Sequence, residues 1–476
     1  MSREKYVPDL RENKMRVMPV GKLLFNMALP LVISMLVQAL YNVVDSIYVA
    51  GYSESAVTAL SLAFPIQNLQ IGFSTGIAVG MNSLLSKSLG ENNRERANRA
   101  AGNGIFLMVI AIALFMLFGF FGTETYYRMQ PISEETALGG IAYTSICCIF
   151  TLGIFLEIMT ERLLQASGKT IYTMFTQGTG AVINIILDPL FIFGSAHYGL
   201  DFLNIPAMGV AGAAVATVIG QWIAAILGVI FNLTKNKDIQ FGLRYLVPQK
   251  NVIGKILTVG IPSIIMMGIG SVMNFGMNQI FLGFPEIGET ASAVFGVYFK
   301  LQSFFLMPLF GINNASISIV AYNYGARLPK RITGTLKCAV GTALVVMFLG
   351  LAVFQLFPDT LMGIFSTPGD AGTSHFVEIG ISALRIVSFH FPMAAIGIAL
   401  GASFQALGNG IYSTITSLCR QLIVLLPAAY LLSLTGDVHA VWWSFPIAEV
   451  VSMIVTLIFF ARIYRQRIKP LAAETN

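Results

Sequence analysis

Residues 24–49 read Leu24-Phe-Asn-Met-Ala-Leu-Pro30-Leu-Val-Ile-Ser-Met-Leu-Val-Gln38-Ala-Leu-Tyr41-Asn42-Val-Val-Asp45-Ser-Ile-Tyr-Val49. A helix that crosses a bilayer needs about 20 predominantly apolar residues, and this run exceeds that. Eleven further apolar runs follow, at 58–86, 100–122, 139–164, 170–194, 208–232, 255–282, 290–320, 335–357, 377–404, 411–433 and 438–462. The chain is therefore read as an all-α membrane protein with twelve transmembrane helices. The composition agrees. Of 476 residues, 55% are hydrophobic and 11% are Asp, Glu, Lys or Arg, against about 25% charged in an ordinary soluble domain. That excludes a cytosolic enzyme and a secreted disulfide domain. Twelve helices leave room for short loops and tails but for no large soluble domain. Cys147, Cys148, Cys338 and Cys419 all fall in apolar runs, with no ligand spacing, and read as packing residues.

The cations sort sharply by loop. Twenty-five of the 29 Lys and Arg residues fall in the two tails and in alternate loops, while the opposite loops hold only Arg128. The positive-inside rule then places both termini in the cytoplasm, which requires an even number of helices. The polar stretch up to Gly21 lacks the apolar core of a secretory signal, so the first helix is expected to direct insertion. Lys300, Arg385 and Arg420 remain inside predicted helices, with no role assigned by the sequence.

The two halves repeat. Met27-Ala-Leu-Pro30 and Val259-Gly-Ile-Pro262 are read as opening helices one and seven. Lys87-Ser-Leu-Gly90 and Tyr322-Asn-Tyr-Gly325 end helices two and eight. Gln165-Ala-Ser-Gly168 and Gln405-Ala-Leu-Gly408 join helices four to five and ten to eleven. Order and spacing both match, which predicts two pseudo-symmetric six-helix lobes, residues 1–240 and 241–476, related by an axis along the membrane normal. Two like bundles in a membrane suit alternating access.

Several motifs fail. Ala166-Ser-Gly-Lys-Thr170 resembles the tail of a phosphate-binding loop, but Leu163 stands where its first glycine belongs. The four histidines form no HExxH pair, and no paired-Asp diphosphate motif occurs. No cofactor is expected, and transport energy should come from an ion gradient unless a separate ATPase subunit supplies it. Gly72, Gly76 and Gly80 form a ladder read as a close helix-packing surface, with a hinge as the alternative.

Carboxylates inside apolar helices carry the functional signal, since a charge at the bilayer centre costs about 2.5–3.5 kcal/mol on insertion scales. Gln38, Tyr41 or Asn42, and Asp45 share one helical face, and Asn184 lies one turn before Asp188. Both acids lie near the outer ends of outward-running helices, at matching depth. Either they are solvated near helix ends, or they share a site for a proton or a cation. Glu157 and Glu161 are also one turn apart; Glu161 pairs structurally with Arg162 or joins the site.

Together, Pro30, Gln38, Asp45-Ser-Ile-Tyr-Val49, Asn184-x3-Asp188-Pro189 and Gly209-Val-Ala-Gly-Ala-Ala-Val-Ala-Thr217 resemble the multidrug and toxic compound extrusion (MATE) family, over nearly the whole chain. The resemblance implies a V-shaped pair of six-helix lobes and cation-coupled drug export. It implies that Asp45, Asn184, Asp188 and Thr217 form a polar network in the N-terminal lobe, with Gln38 in the cavity. Na+ could replace H+ at Asp45, Asn184, Asp188 and Thr217. Gly270 stands where the branch named for norfloxacin export carries a Glu, and that branch's helix-ten Asp has no counterpart. The sequence looks more like the branch named for a DNA-damage-inducible protein, in its staphylococcal-type multidrug subgroup. The expected protein is a multi-pass plasma-membrane antiporter, not an enzyme, working as a monomer. It would exchange amphipathic, mainly cationic drugs for protons or Na+, with no nucleic-acid partner. The alternative is a lipid-linked oligosaccharide flippase of the same superfamily. An intramembrane aspartyl protease is disfavoured by the repeats and by the missing Gly-x-Gly-Asp motif.

Overall fold

The computed structural model describes residues 13–130, 132–200, 202, 204–365 and 371–473, without the side chains of residues 42, 46, 50, 54 and 371–374. Arg3, Lys5 and Arg11 of the basic tail, and the Asn42 side chain, thus lie outside the described residues. The described chain is helical, with no strand among the described residues.

The long helices are α1 (Val20–Tyr52), α2 (Glu54–Gly90), α3 (Arg94–Phe121), α4 (Glu134–Ile149), α5 (Leu152–Ala166), α6 (Thr170–Phe193) and α7 (Val210–Lys235) in the first repeat. The second repeat holds α8 (Lys250–Leu282), α9 (Gly288–Gly325), α10 (Pro329–Leu356), α11 (Ala371–Ser388) and α12 (Phe391–Ala406). It ends with α13 (Gly410–Leu418), which runs through a π-helical turn at Cys419–Val424 into α14 (Leu425–Ser433), and with α15 (Ser444–Ile463). Among the described residues ten helices are long and apolar enough to cross a membrane, and the bent pairs α4–α5 and α11–α12, each taken as one span, bring the number to twelve.

Those bends correct the sequence reading, which ran helices four and ten unbroken. The first pair bends by 46° and the second by 48°. In the second, Pro392 has no N–H to donate at the start of α12. A break frees backbone carbonyls that a membrane interior cannot solvate. In each repeat a glutamine from the second helix lies at the break. Gln70 Nε2 donates to Cys147 O at 3.3 Å and to Thr151 Oγ1 at 3.0 Å. Gln302 Nε2 lies 3.1 Å from His390 Nε2, whose Nδ1 is 2.6 Å from Val387 O.

Other repeated motifs adopt matching geometry. After α5, Gly168 takes φ +80°, and after α12, Gly408 takes φ +79°, a left-handed conformation that closes a helix and suits glycine. Lys169 N then reaches back to Leu164 O, as Asn409 N does to Phe404 O, each at 2.7 Å. After α2 and α9, Asn92 and Arg327 both take φ 56°. Pro30 and Pro262 do not open their helices as the sequence suggested; α1 and α8 begin earlier and carry them inside.

The chain divides into two compact units. One contains Ile33–Ile264 with the segment that ends at Val17, and the other Met18–Val32 with Ile265 onward. Both helices α1 and α8 are therefore divided just beyond their proline. Within the first unit, Gly76 and Gly80 of α2 meet the backbone of α8: a Cβ on Gly76 would reach Gly260 O at 2.7 Å, and one on Gly80 would strike Ile256 O. The ladder is a packing surface at these two positions. At the foot of the same unit, Asn13 Nδ2 donates to Ser167 O at 3.4 Å, and Lys169 Nζ pairs with Asp238 Oδ2 at 2.6 Å. Lys14 lies against Gly168. Burial and the neighbouring Lys169 ammonium lower the Lys14 amine from 10.5 to about 8.

Candidate functional site

Within the first unit, α1, α2, α4, α5, α6 and α7 surround a cavity of about 690 Å3. That volume falls in the range of drug-sized sites, about 300–1,000 Å3. Gln38, Tyr41 and Asp45 of α1 line it, as do Glu157 of α5, Asn184 of α6 and Thr217 of α7. Each residue arrives by helical spacing. Gln38, Tyr41 and Asp45 follow at three and four residues on one face of α1. On α6 the stripe runs Gln177, Gly180 or Ala181, Asn184 and Asp188.

Asp188 stands behind this lining and is fully buried. Asn184 Nδ2 donates to Asp188 Oδ1 at 3.1 Å and to Thr217 Oγ1 at 3.3 Å, tying α6 to α7. At this site three buried oxygens have no hydrogen-bond partner among the described residues: Asp45 Oδ1, Asn184 Oδ1 and Asp188 Oδ2. Buried polar atoms are usually paired, so these are points that can accept a proton or a charged group.

Glu161 does not line the cavity. It accepts from Thr176 Oγ1 and Gln177 Nε2, both at 3.1 Å, so it holds Gln177 from behind while Gln177 faces the cavity. Arg162 forms no ion pair with it among the described residues; its Nη1 instead donates to Gln165 Oε1 at 3.0 Å. The wall also contains groups that sequence reasoning passed over. Gln67, Asn68 and Gln70 of α2, Gln177 of α6 and Gln221 of α7 supply amides, and Phe64 and Tyr143 supply rings. Gln67 Nε2 donates to Tyr143 Oη at 2.9 Å. The readable signal is amides at helical spacing in apolar helices, Gln67 and Gln70 on α2 and Gln177 and Asn184 on α6.

Among the described residues no group of His, Cys, Asp and Glu could hold a metal ion by itself. The cavity can seat an amphipathic molecule against rings, orient it with amides and meet a positive group with Asp45 and Glu157.

A family model named MatE matches residues 30–190 and 262–431. The chain is 25% identical over 434 residues to the multidrug export protein MepA of Staphylococcus haemolyticus, covering 91% of each chain. It is 24% identical over 440 residues to that of Staphylococcus saprophyticus, covering 92% of this chain and 93% of the relative. Solved structures share the fold. A MATE protein in complex with MaL6 superposes with TM-score 0.88 at 24% identity, covering 98% of this chain and 100% of that one. An outward-facing multidrug resistance MATE transporter of the MOP superfamily gives 0.87 at 24% identity, covering 98% and 99%. These likenesses are to transporters, not enzymes. The model matches one segment in each repeat, and together the two segments take in most of the helices described above, so the chain belongs to the MatE family.

Proposed function

We propose that this protein is a secondary multidrug antiporter that exports amphipathic, mainly cationic compounds in exchange for protons. The observation that carries the reading is a drug-sized cavity inside a membrane-spanning unit, walled by rings and amides and holding Asp45 and Glu157. A buried carboxylate attracts a cation strongly because little water screens it, and aromatic faces add to that attraction. Proton entry neutralises the acid and releases the cation; proton loss restores affinity. Asp45 and Asp188 are the coupling groups in this reading. Asp188 Oδ2 takes the proton while Oδ1 keeps its bond from Asn184. The same oxygens, with Asn184 and Thr217, are the place where Na+ would act instead. The repeats, residues 1–240 and 241–476, serve as the two lobes of an alternating-access cycle. The protein acts as a monomer in the plasma membrane with both termini in the cytoplasm.

The flippase reading draws less support. It calls for cations gathered in a cavity, whereas Lys300 and Arg385 are exposed and Arg420 is paired with Glu449. The test is ethidium-driven proton flux in proteoliposomes with Na+ varied independently. Drug export that moves protons and ignores Na+ supports proton antiport. Export that follows Na+ assigns the site to sodium, and no ion-coupled drug flux refutes the reading.

A further inference from the structure

In the second unit a buried carboxylate inside a spanning helix faces a half-buried guanidinium. Arg420 Nη1 lies 3.8 Å from Glu449 Oε1, and Glu449 is only 4% exposed. Arg420 sits ten residues into the eleventh span, within the π-helical turn Cys419–Val424. The matching position in the first repeat, ten residues into α6, is Gly180. There α6 and α7 cross through two glycines: a Cβ on Gly180 would lie 3.1 Å from Gly220 O, and one on Gly220 would lie 2.8 Å from Gly180 O. A crossing of this kind is thus built without charge in one repeat. Packing alone does not call for an ion pair in the other.

Removing a carboxylate from water is expensive, and an ion pair around it is weak evidence for stability. Ionisable residues within spanning segments mark functional sites by default, and π-bulges recur at such sites. At 3.8 Å the pair is too long for a hydrogen bond, and Glu449 Oε1 has no hydrogen-bond partner among the described residues. The groups facing it can be named. Arg420 comes from the π turn, and Tyr298 of α9 is within electrostatic reach of Glu449. His390, at the α11–α12 break, is within reach of Arg420. From α12 Gly397 approaches, where a Cβ would lie 3.8 Å from Glu449 Oε1. Among the described residues the fixed positive charge against the carboxylate is Arg420, which opposes any added cation. A proton needs only the one carboxylate oxygen, whereas a metal ion needs several ligands, and no group of three or more His, Cys, Asp and Glu stands here among the described residues.

We propose that Glu449, held by Arg420, is a second proton-carrying site, so that the second unit moves a proton of its own in each transport cycle. Glu449 Oε1 gains a proton from the outer aqueous phase, its charge is neutralised and the Arg420 guanidinium loses its counter-ion. Release of that proton toward the cytoplasm re-forms the pair. This rests on the antiport reading above and adds one inward positive charge to it. Exchange of a monovalent cation for one proton is electrically silent; exchange for two is driven by the membrane potential.

The test uses ethidium in proteoliposomes, with a fixed pH difference and the potential set by K+ and valinomycin. Wild-type accumulation should rise about fifty-fold per 100 mV. The double variant Arg420→Gln/Glu449→Gln should keep pH-driven export and lose that potential dependence. A double variant with wild-type potential dependence, or a wild type with none, overturns the second site. A wild type with no ion-driven ethidium flux refutes the antiport reading itself, and the second site falls with it. If the neutral variant fails to insert, Glu449→Asp is measured instead. A shifted pH profile at retained expression supports the proposal, and an unchanged profile overturns it.

Discussion

Asn184 Nδ2 donates to Asp188 Oδ1 at 3.1 Å, one helical turn along α6, and the same nitrogen reaches Thr217 Oγ1 on α7. One amide thus fixes the orientation of a fully buried carboxyl and joins two helices. This bond is what distinguishes Asp188 from a solvated acid near a helix end. Pro189, the next residue, does not end the helix, which continues to Phe193.

Asn184→Ala should weaken drug export at least tenfold while leaving the protein inserted. The buried carboxylate loses a charge-assisted bond, a loss of about 1.5–3 kcal/mol. Thr217→Val removes only the longer bond and should have the smaller effect. Resistance and dye efflux at matched expression measure both. An Asn184→Ala protein as active as wild type would remove Asp188 from the coupling mechanism.

Asp45→Asn should abolish export with normal insertion. Asp45 lines the cavity directly, and its Oδ1 has no hydrogen-bond partner among the described residues. Its charge is therefore available to a ligand rather than used in packing. Ethidium efflux from intact cells checks this, and near-normal efflux counts against an acid-based site.

Collapsing the pH gradient with nigericin should sharply reduce export and leave only the part that the membrane potential drives, and replacing Na+ should leave it unchanged. Binding of a cationic dye should weaken as pH falls, because protonation removes the negative charge that holds it. Fluorescence titration of the purified protein from about pH 5.5 to 8 reads this directly. A flat profile refutes the proton switch.

Gly80→Ala should lower the unfolding midpoint in detergent, whereas Gly178→Ala should not. A Cβ at Gly80 falls on the carbonyl of Ile256, and one at Gly178 meets nothing within 4 Å. Overpacking at such a backbone crossing costs about 1–3 kcal/mol, while alanine in an open helical position gains up to about 1 kcal/mol. Equal midpoints for the two variants would refute the packing role of Gly80.

Lys14 should be acylated at lower pH than exposed lysines, with half-maximal reactivity near pH 8. Burial and Lys169 both disfavour its ammonium form. Sign follows from that: the folded protein binds fewer protons than the unfolded chain between about pH 8 and 10.5, so this residue adds stability as pH rises through that window. Mass-spectrometric labelling across pH locates the midpoint. A midpoint at the ordinary lysine value would show that the segment is not packed on Gly168.

The sequence by itself determined the membrane class, the twelve spans, the twofold repeat and the family. These follow from apolar run length, cation placement and recurring motifs, all of which are local properties of the chain. It also marked Asp45, Asn184 and Asp188, because a polar side chain in an apolar helix stands out without any knowledge of its neighbours, and the family resemblance added Thr217. Only the tertiary structure decided which of these groups meet. Nothing in the order of residues says that Asn184 joins Asp188 to Thr217, that Glu161 stands behind Gln177, or that Gln70 lies at the break after α4. The breaks themselves were hidden because the junction Cys147-Cys-Ile-Phe-Thr-Leu-Gly153 stays mostly apolar, and hydropathy does not report where backbone hydrogen bonding stops. Arg420 and Glu449 lie 29 residues apart on different helices and read as two isolated charges. Their pairing depends on how the eleventh and twelfth spans cross, and that is set by packing between helices rather than by the sequence of either one.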